Sequence, residues 1–319
     1  MQKKQFEKPL VYAVKHKDND IRLKSRSGGV FTSISDYFLE CGGVVYGCVL
    51  NDNFNAVHIR AITSDERDRM RGSKYIQSNL GDTFKKVRED LCNGKKVLFT
   101  GTSCQVAGLK KFLGKDDPNL ICVDIVCHGV PSPKVFQRYI EWQEKKAKSK
   151  CVSIDFRNKK DFGWKAHIET LIFSNGKKIS SEVFKNIFFQ NVALRPSCYK
   201  CHFKSIIHSA DITIADYWGI DKAAPGFNDD KGVSLVLVNN NIAKELFDRL
   251  EGIEYRDCRI EDSMQPSLEG PVPKPQNRSR FWSDFNRKSF RYITARYGKN
   301  DILRRSKRMV RRFLGKAIY

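Results

Sequence analysis

Four of the ten cysteines stand where a sulfur can do chemistry. Cys198 and Cys201 form Cys-Tyr-Lys-Cys between Pro196 and His202. Two thiolates three positions apart can turn toward one metal, although a tetrahedral site needs two more ligands; the same spacing also suits a thiol redox pair. Cys104 follows the apolar run 97–100, and Cys127 ends the apolar run 120–127. If those runs are neighbouring parallel strands, both thiols reach one sheet edge. With Cys198 and Cys201 folded over that edge, four sulfurs would suit structural zinc or an iron-sulfur cluster. Cys122, inside its run, and Cys41, Cys48, Cys92, Cys151 and Cys258 have no partner at ligand spacing and read as structural.

Three turns rich in glycine or hydroxyls precede helix-like segments: residues 25–29 with Ser27, Gly28 and Gly29; residues 72–78 with Gly72, Ser73, Lys74 and Tyr75; and residues 101–103 with Gly101 and Thr102. Free backbone N–H groups at a helix start attract anions such as phosphate, and Lys74 adds a point charge. No Gly-x-Gly-x-x-Gly fingerprint is present. Together the three turns favour a phosphate-bearing cofactor. His128, beside Cys127, can hydrogen-bond such a group or relay a proton. Tyr217 and Trp218 follow the apolar run 211–215 and can cover a ring or pack in a core.

The elements that position these residues follow from periodicity. Residues 11–16, 41–50, 56–62 and 97–100 read as strands, and residues 30–40, 103–113 and 132–148 as helices. Leu80, Phe84, Val87 and Leu91 lie along one face of a further helix ending near Gly94. Strand 97–100, helix 103–113 and strand 120–127 make a crossover unit, whose right-handedness sets the two strands parallel with their carboxyl ends together. Ligands of open sheets gather at such an edge. Beyond residue 150 the pattern turns antiparallel: strands at 152–156, 165–174 and 177–183, with Asn175-Gly176 as a hairpin turn. Residues 184–194 read as a helix, 211–215 and 233–238 as strands, and 242–250 as a helix. The expected fold is mixed α/β: a central sheet with a parallel strand-helix-strand core, an antiparallel portion, helices on its faces and a basic helical tail.

The chain of 319 residues carries a net charge of +22, yet 40% of its residues are hydrophobic, too many for a disordered polycation. Residues 274–319 hold 15 Lys and Arg against Asp284 and Asp301, so a basic tail follows the Pro-rich stretch 264–279, which reads as a linker. No apolar run is long enough to span a bilayer and the start has no signal-type core, so a cytoplasmic location is expected. In the tail, Ile302, Leu303, Val310, Phe313 and Leu314 alternate with arginines, a pattern able to rest on an anionic membrane surface. A competing class is a non-enzymatic zinc protein, its metal held by the four cysteines, that binds nucleic acid through this tail. Its support is the set Phe281, Trp282, Phe285, Phe290 and Tyr292 interleaved with cations, which would stack on bases; it ranks behind a redox enzyme.

Six stretches in order resemble one family: Ser-Arg-Ser-Gly-Gly-Val-Phe-Thr (25–32), Gly-Ser-Lys-Tyr-Ile-Gln-Ser (72–78), Phe-Thr-Gly-Thr-Ser-Cys-Gln-Val-Ala-Gly-Leu (99–109), Cys-His-Gly-Val-Pro-Ser (127–132), Cys-Tyr-Lys-Cys (198–201) and Ala-Asp-Ile-Thr-Ile-Ala-Asp-Tyr-Trp-Gly (210–219). The set resembles the beta subunits of coenzyme F420 hydrogenases and dehydrogenases, a family that includes the 7-hydroxymethyl chlorophyll a reductases. The resemblance spans roughly residues 10–260. It implies an oxidoreductase holding a 4Fe-4S cluster on Cys104, Cys127, Cys198 and Cys201, and FAD on the turns, through Ser27, Gly28, Gly29, Thr32, Gly72, Ser73, Lys74, Tyr75, Gln77, Ser78, Thr100, Gly101, Thr102 and Gln105. His128 and Lys74 are the candidate catalytic residues. The division implied is a flavin-binding region over 1–94, an iron-sulfur domain over 95–263 and a linker with tail over 264–319. Residues 1–10 lack the cysteine runs of many relatives, so an external ferredoxin-like donor is expected, and Ser103 replaces the proline of the usual Thr-Pro-Cys-Gln form. The acceptor is an organic molecule, either coenzyme F420-like or a polysaccharide-pathway substrate.

Overall fold

The computed structural model describes residues 3–301. In chain order the first elements are β1 (Gln5–His16), α1 (Asn19–Lys24), α2 (Val30–Glu40), β2 (Val44–Leu50), β3 (Ala56–Ala61), α3 (Ser64–Asp68), α4 (Thr83–Cys92), β4 (Val97–Thr102), α5 (Ser103–Leu113) and β5 (Leu120–Ile125). Then come α6 (Pro133–Ala147), β6 (Cys151–Asp155), α7 (Lys159–Phe162), β7 (Glu169–Phe173), β8 (Lys178–Ser181) and α8 (Val183–Phe189). The last are β9 (Ile212–Asp216), α9 (Ile220–Ala223), β10 (Ser234–Asn240), α10 (Asn241–Asp248), β11 (Ile253–Cys258), α11 (Pro266–Glu269), α12 (Arg278–Arg287) and α13 (Phe290–Arg296). The chain divides into two compact units that cut across the ranges named above. One holds the residues up to Lys74, Ser78–His128 and Cys201–Pro271; the other holds Tyr75–Gln77, Gly129–Lys200 and the residues from Val272.

The first unit is built on an eight-stranded sheet in the order β11-β1-β10-β9-β5-β4-β2-β3. Strands β2, β4, β5 and β9 run parallel at its centre, and antiparallel strands extend it on both sides. Alternation decides which side chain meets which helix layer, because successive residues of a strand face opposite ways. Val45, Leu98, Ile121 and Val123 pack toward Val30, Ile34 and Phe38 of α2 and Leu246 and Phe247 of α10. Their neighbours Val44, Tyr46, Val97, Phe99, Leu120 and Cys122 pack toward Val87 and Leu91 of α4 and Val106 and Leu109 of α5. Each such fully buried aliphatic or aromatic side chain contributes about 1.5–3 kcal/mol. Cys122 is one of these core groups, and burial pushes its thiol pKa far up.

Asp211, wholly buried just before β9, ties the sheet together. Its carboxylate accepts from the Cys122 backbone N–H at 2.7 Å and the Asn240 amide at 2.8 Å, and it pairs with Lys3 at 2.9 Å. A buried carboxylate is tolerable only when its lone pairs are satisfied in this way. The Ala-Asp-Ile stretch of the sequence is therefore architectural at its acidic residue.

The second unit pairs the antiparallel sheet β6-β7-β8 with an aromatic core. Phe136 of α6 meets Phe156 at 5.2 Å and Phe184 at 5.0 Å between ring centroids. The Asn175-Gly176 turn joins β7 to β8, with Gly176 at φ 78°. Residues 278–296, read from sequence as part of an appended tail, instead form α12 and α13, whose Phe281, Phe285 and Phe290 are buried. That corrects the aromatic half of the nucleic-acid reading: three of its five rings are core groups, unavailable to stack on bases. The apolar residues Ile302, Leu303, Val310, Phe313 and Leu314 lie outside the described residues. The 264–279 stretch also contains a short helix, α11. Strand β11 has no counterpart among the sequence expectations; it pairs with the C-terminal half of β1.

Glu169 is the second unit's buried carboxyl. It accepts from the Phe184 backbone N–H at 2.8 Å and from the Tyr139 hydroxyl at 3.2 Å. Burial raises its pKa to about 7, against the bonds from Phe184 and Tyr139. A raised carboxyl pKa means that folding favours the protonated form, so stability is lost as pH rises from about 4.5 through about 7. Glu169→Gln, which keeps an acceptor for Phe184, is expected to stabilise the protein at pH 8 by on the order of 2–3 kcal/mol and to leave it unchanged at pH 4.5. Denaturant titrations of both proteins at the two pH values measure this difference.

Candidate functional site

The parallel pairing of β4 with β5 sets the site's geometry. Gly101 lies opposite Asp124 and Thr102 opposite Ile125, so both strands end level. Cys104 and Cys127 each come two residues past a strand end, on one edge of one sheet, as the crossover required. Cys104 is exposed on the first turn of α5, and its sulfur lies 3.2 Å from the Thr102 hydroxyl. Cys127 and Cys201 are half-buried in the same unit. Cys198 belongs to the second unit, on the 3-10 turn Pro196–Lys200, where its N–H donates to Arg195 O at 2.9 Å. Gly129 of that unit has φ 138°, and a Cβ there would stand 2.9 Å from Leu194 Cδ1 and 3.4 Å from Cys198 Cβ. Only glycine fits the position. Among the described residues no three His, Cys, Asp or Glu side chains are gathered closely enough to hold a metal ion.

The cofactor-type turns divide between anchoring and open positions. Ser27 Oγ donates to Val233 O at 2.6 Å, and Gly28 N–H donates to Ser234 Oγ at 2.9 Å. Gly29, at φ 93°, starts α2 with no side-chain cap. Thr32 is buried; its hydroxyl accepts from Arg71 Nε at 3.0 Å and its carbonyl from Arg67 at 3.1 Å. Of the 72–78 stretch, Tyr75 and Gln77 lie in the second unit, where the Tyr75 ring packs 5.4 Å from Phe188. Ser78, in the first, accepts at 2.8 Å from Gln105, whose side-chain oxygen in turn accepts the Thr102 N–H at 3.0 Å. Two of the sequence stretches are thus joined through one glutamine. Thr100 donates from its hydroxyl to Tyr46 O at 2.9 Å.

Lys74 places its ammonium against three successive carbonyls, donating to Arg69 O, Met70 O and Arg71 O at 2.9–3.0 Å. Burial lowers its pKa to about 8. Gly72 and Ser73 precede it, Gly72 at φ 77° with open space around its Cα. His128, in the first unit, receives the Lys204 ammonium on its carbonyl at 2.7 Å.

Sequence reasoning passed over His58 and read its strand partner Cys48 as structural. His58 pairs with Cys48 across β2 and β3, stacks 5.7 Å from Phe99, and meets Thr100 O at 3.1 Å. Burial drives its pKa down to about 4, so it is neutral at pH 7 and its Nε2–H is the donor to that carbonyl. Cys48 has its thiol pKa raised, first by burial. Neither stands at a ligand spacing in the sequence; the only signal was their place near the ends of apolar hairpin strands.

The comparisons with known proteins point one way. The family described as coenzyme F420 hydrogenase/dehydrogenase, beta subunit, matches by its N-terminal model over residues 11–85 and by its C-terminal model over residues 94–259. Among solved structures, a chain of the F420-reducing [NiFe] hydrogenase complex from Methanosarcina barkeri superposes with a TM-score of 0.57 at 19% identity, covering 82% of this chain and 86% of that one. No curated protein matches in sequence at comparable stringency.

Gly28 separates anchoring from open turns by experiment. A Cβ at Gly28 would stand 2.1 Å from Val14 O and 2.6 Å from Ser234 N, both backbone atoms that cannot swing away. Gly28→Ala is expected to cost about 3 kcal/mol or more. Gly72→Ala, with nothing within 4 Å, is expected to cost only about 1–2 kcal/mol for its positive φ. Thermal unfolding of the two variants beside the parent gives the comparison.

Proposed function

Because the chain belongs to the coenzyme F420 hydrogenase/dehydrogenase beta subunit family, and is a beta-subunit-like oxidoreductase, we propose that it is an iron-sulfur flavoprotein that passes electrons between a 4Fe-4S cluster, FAD and an organic acceptor. The observation that carries this reading is the level ending of β4 and β5, which delivers Cys104 and Cys127 to one edge. Cys201, in the same unit, and Cys198, three positions earlier in the chain, complete a set of four thiols. An all-thiolate donor set suits a cluster or zinc, and the flavin-type turns in the same family stretches favour the cluster. When bound, the cluster moves single electrons and the flavin exchanges a hydride with an organic acceptor.

The chain's own residues have definable parts in this reading. Gly29 leaves the start of α2 uncapped for a phosphate, while Ser27 and Gly28 fix that start against β1 and β10. Gly72 and Ser73 leave an open turn beside Lys74, whose charge steadies an anion without moving, since three carbonyls hold it. The chain Thr102–Gln105–Ser78 fixes the loops beside Cys104. Thr32, Thr100 and Gly101 shape the surroundings within the first unit, and His128 is the proton-handling group. The acceptor is an organic molecule, either coenzyme F420-like or a polysaccharide-pathway substrate, and the donor is an external ferredoxin-like protein.

Arg280, Arg287, Lys288 and Arg291 are exposed on α12, α13 and the turn between them, and among the described residues they have no carboxylate partner. No helix among the described residues is long and apolar enough to cross a membrane. These cations supply a surface for peripheral contact with anionic lipid. Flotation with anionic liposomes should carry the full chain and lose it when the four are changed to glutamine; unchanged flotation would reject the contact.

Purified without oxygen, the protein is expected to be brown, with about four irons, four labile sulfides and one flavin per chain. Cys104→Ser should lose most of the iron while its unfolding midpoint, measured on apo-protein, stays within about 2 °C of the parent, since its side chain is exposed. A colourless protein holding only zinc would overturn the proposal.

A further inference from the structure

One imidazole in the first unit ties its own chain segment to two others, and each of the three carries a candidate thiol. His208 Nδ1 lies 2.7 Å from Asp124 Oδ2 and 3.3 Å from Ser103 Oγ. Asp124, wholly buried, is the fifth residue of β5 and precedes Cys127 by three positions. Ser103 opens α5 immediately before Cys104. His208 itself sits on the segment that runs from Cys201 to β9. Further bonds lace the same segments: Lys204 donates to His128 O at 2.7 Å, and Lys110 of α5 donates to Ser209 O at 2.5 Å.

The residue types are those of a hydrolytic triad, but the geometry is not. Asp124 and Ser103 face the same ring nitrogen, whereas a triad needs the hydroxyl on one nitrogen and the carboxylate on the other. Nδ1–H donates to Asp124, and the Ser103 hydroxyl turns to Ile125 O at 3.5 Å. The cluster is a clamp, not a relay.

Its cost shows that packing alone does not account for it. The His208 side chain is 2% exposed, and among the described residues its buried Nε2 has no hydrogen-bond partner, nor has Asp124 Oδ1. An unsatisfied buried polar atom costs about 1–3 kcal/mol, and a buried ion pair is often replaceable by apolar residues at no loss. A leucine at 208 and an apolar partner at 124 would fill the same space without that cost.

We propose that Asp124 and His208 are positioning residues that hold together the chain segments bearing Cys104, Cys127 and Cys201, so that they serve metal capture by those segments rather than folding. This rests on the thiol-site reading above. Outer partners that orient a metal's ligands are worth about 10–100-fold in affinity when removed.

The test is an anaerobic titration of the full-length apo-protein with Co(II), read by its thiolate charge-transfer absorbance, with thermal unfolding recorded on the same samples. His208→Asn places an amide N–H where Nδ1–H stands and keeps the bond to Asp124; His208→Gln places its amide near Nε2 and loses it. Asp124→Asn keeps the shape but lets the ring adopt the other tautomer. His208→Gln and Asp124→Asn are expected to weaken Co(II) binding about 10–100-fold, and His208→Asn to stay within about threefold of the parent. Should His208→Gln not fold, Asp124→Asn alone decides. Parent-like affinity in the folded disruptive variants, or equal loss in His208→Asn, overturns the proposal, as does a parent that binds no Co(II). Iron analysis of the parent as purified separates the two claims: Co(II) binding that follows the pattern in a protein lacking iron removes the cluster and leaves the positioning pair.

Discussion

Parallel register is the constraint on which the rest of the first unit depends. The central residues of β2, β4 and β5 pack against helices on both faces, so a slip of one position would turn each core face to the wrong layer. Register therefore has little freedom. Once Val97 pairs with Leu120, Thr102 must end opposite Ile125, and whatever follows the two strands is delivered to the same edge. Right-handed crossover by α5 then puts the first turn of that helix beside the end of β5. The chemistry-bearing turns are set by core packing some distance away from them.

Buried polar groups complete what packing leaves undetermined. Asp211 binds β9 to β5 and to the start of α10, while Tyr46 and Arg60 share Asp90, at 2.6 and 2.7 Å, beneath β2 and β3. Arg22 pairs with Asp229 at 2.7 Å and with Gly232 O at 2.9 Å, holding the loop before β10; this draws the Asp229 pKa down to about 2. In each case a charge is admitted to a poorly hydrated place because several donors or acceptors meet it. In the Ser103, Asp124 and His208 cluster, His208 Nε2 and Asp124 Oδ1 are buried without a hydrogen bond among the described residues.

Much of the layout was legible in the sequence because it rests on periodicities that burial enforces. Leu80, Phe84, Val87 and Leu91 do share one face, and residues 103–113 form α5 with the expected bounds. The parallel pairing of the two apolar runs followed from their spacing. What was hidden fell where charge masked pattern or contacts were distant. Phe281 and Phe285 are four apart and line a helix, but the surrounding arginines made the segment read as a solvated tail. Strand β11 carries alternating charges on an edge and depends on β1 for its existence. His208 could not be matched to its partner from spacing, although Asp124, a carboxylate within an apolar strand, required a buried partner somewhere.

The central claim is that the cysteines delivered by this register take iron. X-ray absorption at the iron edge of anaerobically prepared protein tests it most directly. A first shell of sulfur alone with iron neighbours behind it is the predicted spectrum; an iron shell dominated by nitrogen or oxygen, or no iron signal beside a sulfur-bound zinc, would contradict the account.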